Sequence, residues 1–107
     1  MPKYLFKGSY SQEGIQGVLK EGGTARRAAT KRLAESLGGT LESFHFAFGN
    51  ADFYAIADLP DHAAALAAAA TVGASGSIGH LETVVLLTGE DADAAAQRTA
   101  AYRPPGS

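Results

Sequence analysis

The chain has 107 residues, with nine basic and eleven acidic side chains and a formal net charge of −2. That length predicts one domain, and a nearly neutral surface does not produce the positive field that attracts nucleic acid or anionic membranes. Without cysteine there are no disulfides, thiolate metal sites or cysteine nucleophiles, and without an apolar leader or a run of about 20 apolar residues we expect a cytoplasmic protein.

The first third of the chain predicts a strand followed by two helical segments. Residues 3–10 alternate well enough for a strand. Ser11 is expected to cap a helix. The pair Gly22-Gly23 should interrupt that helix, because glycine costs about 1 kcal/mol in a helix interior. A second helix with an apolar stripe is predicted over residues 24–37.

A β-hairpin is the strongest local signal in the sequence. Two β-rich runs, residues 40–48 and 52–59, meet at Gly49-Asn50, and Pro60 ends the second run because proline cannot extend a strand ladder. Alternation places Phe44, Phe46 and Phe48 on one face of the first run, with Leu41 and His45 on the other. Both faces of this hairpin are therefore expected to be largely apolar.

The second half repeats the order of helix and strand. Asp61 is expected to cap a helix that is almost entirely alanine. The predicted elements are a helix over residues 62–72, a flexible connection over 73–79, a strand over 80–88, a short helix over 90–101 and an extended tail over 102–107. The strand contains a continuous apolar run, which is typical of a strand covered on both sides.

Together these elements predict an α+β, ferredoxin-like βαββαβ domain spanning residues 1–107, with a four-stranded antiparallel sheet. Two short helices can cover only one face of such a sheet. The apolar side chains on the other face need a second partner, and a homodimer formed through that face supplies one.

Several short stretches of the sequence resemble the GYD-domain family of dimeric α/β-barrel proteins. The matching stretches are Tyr4-Leu-Phe-Lys-Gly-Ser-Tyr10, Lys20-Glu-Gly-Gly-Thr-Ala-Arg-Arg27, Gly49-x-x-Asp52, Leu59-Pro-Asp61, Thr83-Val-Val-Leu-Leu-Thr88 and Tyr102-Arg-Pro-Pro-Gly106. The resemblance implies a ferredoxin-like protomer whose sheets pair face to face in a dimer. It transfers no mechanism, because the family is functionally uncharacterised. Ala51 stands where the family usually carries tyrosine, so any role of that tyrosine is lost.

A basic cluster at the start of the second helix is a candidate anion site. Arg26 and Arg27 follow two glycines, and free backbone N–H groups beside guanidinium groups can hold a carboxylate or phosphate. The competing interpretation is a solvated basic face, which is how most charge clusters behave. The glycine pair matches no phosphate-loop pattern.

His45 and His80 are the candidate catalytic residues. Both fall in predicted strands that could approach each other, where an imidazole could carry a proton. Such a pair would suit a cofactor-independent monooxygenase or isomerase of the dimeric α/β-barrel type, for which no metal and no cofactor are expected. An ordinary hydrogen-bonded strand histidine is the commoner case, and no further ligand lies at metal-site spacing.

The aromatic side chains indicate a second type of site, a pocket for a small organic molecule. The phenylalanines are more simply explained as core. Tyr10, Tyr54 and His45 are better pocket candidates, because each has a polar group that needs a partner when buried. With Arg26 and Arg27, they form the predicted ligand-binding set for a homodimer that binds a small organic or anionic ligand.

RNA binding is a weaker alternative, since the RNA-recognition motif shares this strand order. Its third strand should carry a basic residue, a glycine and exposed aromatic residues. Here the corresponding strand opens at Asp52, with an acidic side chain. We therefore expect no nucleic-acid partner.

Overall fold

A computed structural model describes the whole chain, Met1–Ser107. The elements, in chain order, are β1 (Lys3–Tyr10), α1 (Gln12–Glu21), α2 (Gly23–Ser36), β2 (Thr40–Phe46), β3 (Phe53–Asp58), α3 (His62–Ala74), β4 (Ile78–Leu86) and α4 (Gly89–Ala96). No helix among them combines the length and apolar character that a membrane crossing requires.

The four strands form one antiparallel sheet in the order β2-β3-β1-β4. This order, with βαβ connections on either side of the hairpin, confirms the predicted α+β ferredoxin-like fold. It places β1 and β3 in the centre and leaves β2 and β4 as edges. Side chains of Tyr4, Phe6 and Tyr10 lie on the face covered by α2 and α3.

Local chemistry explains the break between the first two helices. The Ser11 hydroxyl oxygen accepts a hydrogen bond from the Gly14 N–H (3.0 Å), which caps α1. Gly22 then adopts φ of 90°, a left-handed conformation that favours glycine, and its N–H bonds to the Val18 carbonyl oxygen. The chain therefore turns between α1 and α2, as the glycine pair predicts.

Two details of β2 differ from the expectation. The strand ends at Phe46 rather than Phe48, because the Ala47 N–H bonds to the Asp52 carbonyl oxygen across the turn, and the Phe48 side chain is fully exposed. A register shift also occurs between Leu41 and Ser43. The shift moves Leu41 to the helix-covered face, so the predicted separation of Leu41 from the phenylalanine face was wrong.

Boundaries in the second half also shift. α3 continues through Gly73 to Ala74, and β4 begins at Ile78, so the connection is shorter than predicted. α4 ends at Ala96 instead of continuing to residue 101. Thr88 and Asp91 form a reciprocal capping box at its start, whereas no basic side chain stabilises its last turn.

The packed core occupies one end of the space between sheet and helices. Its buried members are Tyr4, Ala34, Ala57, Leu59 and Ala65. Tyr4 and Leu59 are each only 1% exposed and are the largest fully buried side chains. A cavity adjoins this core in the same layer and shares Ala34, Ala57 and Leu59 with it.

Candidate functional site

The cavity lies between the sheet and helices α2 and α3 and has a volume of about 280 Å³. It is lined by 20 residues, of which 15 are hydrophobic, a composition typical of small-molecule sites. The aromatic and larger aliphatic residues in its wall are Phe6, Tyr10, Leu33, Leu41, Phe44, Phe53, Leu59, Val72, Ile78 and Leu81.

Alanine explains why this space is not filled. Ala55 and Ala57 project from the middle of the sheet, and Ala29 of α2 and Ala68 of α3 face them across the cavity. Each contributes a single methyl group where a leucine would occupy the gap. The volume remains open because small side chains line both walls.

Arg26 is the one charged residue in the cavity wall. It lies in the first turn of α2, where its backbone N–H donates a hydrogen bond to the Gly22 carbonyl oxygen at 3.2 Å. Its Nε is buried and makes no hydrogen bond. Glu21 Oε1 approaches that Nε to 3.3 Å, an ion-pair distance without hydrogen-bond alignment. The guanidinium group therefore retains donors that no protein acceptor satisfies.

Tyr10 supplies an aromatic hydroxyl to the same region. The bond that its backbone N–H donates to Asp52 Oδ2 (3.0 Å) fixes the end of β1, but its hydroxyl group has no protein partner. Burial raises the pKa of Tyr10 to about 12, with the charge of Arg26 acting in the opposite direction. The phenol is therefore a neutral hydrogen-bonding group at ordinary pH.

A polar groove adjoins the cavity at Arg26, Ser75 and Ser77. Its remaining lining residues are Glu13, Gly14, Gly17, Val18 and Glu21. The Ser75 and Ser77 hydroxyl groups lie 2.6 Å apart. A Cβ on Gly14 would clash with the Ser77 carbonyl oxygen, so glycine is required where α1 approaches this loop. The apolar cavity thus leads into a polar rim that contains both signs of charge.

The comparisons with known proteins place the chain in a family. The GYD-domain family matches residues 4–96. The chain belongs to the GYD-domain family. Among solved structures, this GYD domain is similar to NE2512, a protein of unknown function from Nitrosomonas europaea, with 20% identity, coverage of 98% of this chain and 96% of that chain, and a TM-score of 0.43. No curated protein gives a significant match.

The GYD domain brings only part of the predicted ligand set together. Tyr10 and Arg26 both line the cavity, whereas Arg27 is exposed on α2 and lies outside it. His45 and Tyr54 lie opposite each other on the sheet face away from the helices. The structure therefore does not place Arg27, His45 or Tyr54 at the cavity.

His45 and His80 lie on opposite edges of the sheet of this GYD domain. β2 carries His45 and β4 carries His80, with the two central strands between them. The expectation that their strands could approach each other was wrong. His80 Nε2 is 3.9 Å from Glu82 Oε1, and both side chains are at least half exposed. No three histidine, aspartate or glutamate side chains are grouped so that they could hold a metal ion.

The sheet face away from the helices, here called the open face, has an apolar centre. Leu5 pairs with Ile56 on one side and with Val84 on the other. Ion pairs surround this centre, with Lys3 Nζ 2.9 Å from Asp58 Oδ1 and Lys7 Nζ 3.2 Å from Glu82 Oε2. An apolar centre with a charged rim is the usual composition of a protein interface.

The residues missed by sequence reasoning are Glu21, Ser75, Ser77 and the cavity-facing alanines. Glu21 and Arg26 belong to different helices, on either side of the turn at Gly22. Helical spacing of three or four residues does not predict such a pair. Ala51, where the family usually carries tyrosine, is 5% exposed and lies outside the cavity wall.

Proposed function

We propose that this GYD domain is a homodimer that binds a small organic molecule in the cavity between its sheet and helices. The observation that carries the binding proposal is an apolar cavity of about 280 Å³ with one buried, unbonded guanidinium nitrogen in its wall. Apolar walls favour a hydrocarbon body, and a small number of polar groups then fix its orientation.

Arg26 would hold a carboxylate or similar anionic group on that molecule. Its Nε lies beside Glu21 Oε1, and its other guanidinium nitrogens make no hydrogen bond or ion pair within the chain, so they can donate to a charged acceptor. The Tyr10 hydroxyl, also without a protein partner, can donate to the same ligand. Arg27 is exposed outside the cavity, so this anion role falls to Arg26 alone.

Binding, rather than turnover, is the function that the geometry favours. His45 and His80 are exposed and lie on the open face, away from the cavity. A general base must reach the proton that it removes within hydrogen-bond distance. Neither imidazole meets that condition for a ligand in the cavity, and no other observation favours an enzyme.

The fluorescent amine N-phenyl-1-naphthylamine provides a direct test of cavity binding, because its emission rises when it leaves water. We expect saturable binding to the wild type and at least a tenfold loss with Ala68→Leu, which fills the cavity. Ala67→Leu is the matched control, since Ala67 is an exposed position of the same helix outside the cavity wall. Equal binding to both variants, or no saturable binding to the wild type, would overturn the proposal.

The homodimer part of the proposal rests on the open face. Its centre consists of Leu5, Ile56 and Val84, and none of the helices α1 to α3 covers it. Burial of apolar area is the main driving force for association. Face-to-face pairing of two such sheets would also bring the Tyr54 and His45 side chains into the interface.

Adjacent valines of β4 test the dimer. Val84 is 40% exposed on the open face, and Val85 is 44% exposed on the opposite face. Light scattering should show a dimer for wild type and for Val85→Asp but a folded monomer for Val84→Asp. A monomeric wild type, or a Val84→Asp protein that remains dimeric, would contradict pairing through this face.

A further inference from the structure

We infer that the head group of the ligand is zwitterionic, with its carboxylate on Arg26 and its ammonium on Glu21. The inference rests on the proposed cavity binding and narrows the ligand class to apolar α-amino acids and compounds of the same charge pattern. The apolar body of the ligand would occupy the cavity, and its head group would lie at the junction with the polar groove.

The first observation is the incomplete pairing of Glu21 and Arg26. Their side chains are 37% and 32% exposed, and the Nε–Oε1 distance of 3.3 Å lacks hydrogen-bond alignment. Neither side chain makes another hydrogen bond or ion pair within the chain. Both therefore retain bonding capacity toward a third group beside them.

The second observation is their position. Arg26 lines both the apolar cavity and the polar groove, whereas Glu21 lines only the groove. A molecule whose body fills the cavity would present its head group at Arg26 first and Glu21 next. The Ser77 hydroxyl group borders the same junction. Its proton goes to Ser75 Oγ, whose own proton goes to the Val72 carbonyl oxygen, so Ser77 Oγ can accept a hydrogen bond from the ammonium end of the head group.

The charges that line the cavity and the groove favour a ligand head group with two opposite charges over one with a single charge. Arg26 is the only basic residue lining the cavity or the groove, and the groove also contains Glu13 and Glu21. A simple anion would compete with Glu21 for Arg26 and would meet two carboxylates. A zwitterion that lies antiparallel to the Arg26–Glu21 pair places an opposite charge beside each member of the pair and leaves the pair intact.

Three compounds with the same phenyl body separate these possibilities. L-Phenylalanine has both charges, 3-phenylpropionate has only the carboxylate, and phenethylamine has only the ammonium. Displacement of N-phenyl-1-naphthylamine by each compound would be measured with wild type, Glu21→Gln, Arg26→Gln and Arg27→Gln. Arg27→Gln is the matched control, because Arg27 is exposed outside the site.

We expect L-phenylalanine to bind wild type at least tenfold more tightly than either single-charge compound. Glu21→Gln should remove its advantage over 3-phenylpropionate, and Arg26→Gln should remove its advantage over phenethylamine. Arg27→Gln should change neither ratio. Glu21 is the last residue of α1 and its side chain is partly exposed, so the Glu21→Gln protein should fold normally. The affinities of this variant for L-phenylalanine and 3-phenylpropionate therefore decide the inference even if the Arg26→Gln protein does not fold.

Three results would overturn the inference. If 3-phenylpropionate binds as tightly as L-phenylalanine and Glu21→Gln strengthens it, Glu21 merely competes with a monoanion. If the dye binds but none of the three compounds displaces it, the zwitterion inference fails while cavity binding stands. If the dye does not bind wild type, the proposed function fails as well.

Discussion

Tyr4 and Tyr10 lie on the same face of β1 but at opposite ends of the layer between sheet and helices. Tyr4 is 1% exposed, and its hydroxyl lies 2.6 Å from His62 Nδ1 at the start of α3. Tyr10 is half-buried, lines the cavity, and has a hydroxyl group without a protein partner. One end of the layer is built for stability, whereas the other leaves volume and polar groups available to a ligand.

The neighbours of each tyrosine account for this difference. Leu59 packs with Tyr4 in the core cluster and is itself 1% exposed. Around Tyr10 the wall contains a polar side chain, Arg26, and alanines that leave the centre open. The same strand therefore supports a closed core and an open cavity, and a protein commonly gives up stability where it needs a binding site.

The largest expected effect is at the packed end. Tyr4→Ala should lower the free energy of unfolding by about 4 kcal/mol, because it removes a fully buried side chain that packs in the core cluster and lies outside the cavity wall. Leu33→Ala is the control at the cavity end. It should cost only about 1 kcal/mol, since Leu33 is partly exposed and borders space that is already empty. Urea unfolding measures both, and equal losses would show that the two ends are packed alike.

The tyrosine hydroxyl groups give the next largest contrast. Tyr4→Phe should destabilise the protein by about 1 kcal/mol, because it removes the bond to His62. Tyr10→Phe should change stability by less than about 0.5 kcal/mol, because no protein hydrogen bond is lost. The two urea midpoints would be compared directly. A larger loss for Tyr10→Phe would mean that its hydroxyl has a structural role.

Much of the packed end could be predicted from the sequence. Side chains in strands point to alternate sides, so alternation places Tyr4 and Phe6 on one face of β1 and Phe53 and Ala55 on one face of β3, although it does not tell which face the helices cover. Pro60 and the glycine pair at 22–23 marked the ends of elements. The shift at Leu41 was missed, since a bulge depends on pairing between strands and leaves no signal in one strand.

The cavity end was less predictable, because it depends on three-dimensional packing. Tyr10 and Arg26 were selected separately, as an aromatic residue and as part of a charge cluster, and only the fold places both on one cavity. The alanine composition of α3 does not by itself reveal a cavity, since the space depends on alanines that face it from the sheet and α2 as well. His45 and His80 were considered as neighbours although the strand order of this fold puts them at opposite edges.

Filling the cavity should make the cavity end of the layer pack more like the core end and should therefore stabilise the protein. Ala68→Leu should raise the free energy of unfolding by about 1 kcal/mol, as cavity-filling substitutions commonly do. Ala67→Leu, at an exposed position of the same helix, should change it by less than about 0.5 kcal/mol. Thermal and urea unfolding would measure both. A destabilised Ala68→Leu protein would indicate that the walls cannot accommodate a larger side chain and that the cavity is tighter than its volume suggests.

The smallest expected effect is the alkaline titration of Tyr10. Its pKa is raised to about 12 in the folded chain, chiefly by burial, whereas an unfolded tyrosine titrates near pKa 10. Between about pH 10 and pH 12 the unfolded chain therefore loses a proton that the folded chain retains, so stability should fall as pH rises through this window. The magnitude should be modest, because the half-buried ring is partly screened by water. Tyrosinate absorbance should show one group titrating near pH 12 that is missing in Tyr10→Phe, and the variant should lose less stability between these pH values. If the group missing from the variant titrates near pH 10 instead, the Tyr10 hydroxyl is solvated and the polar end of the cavity is open to water.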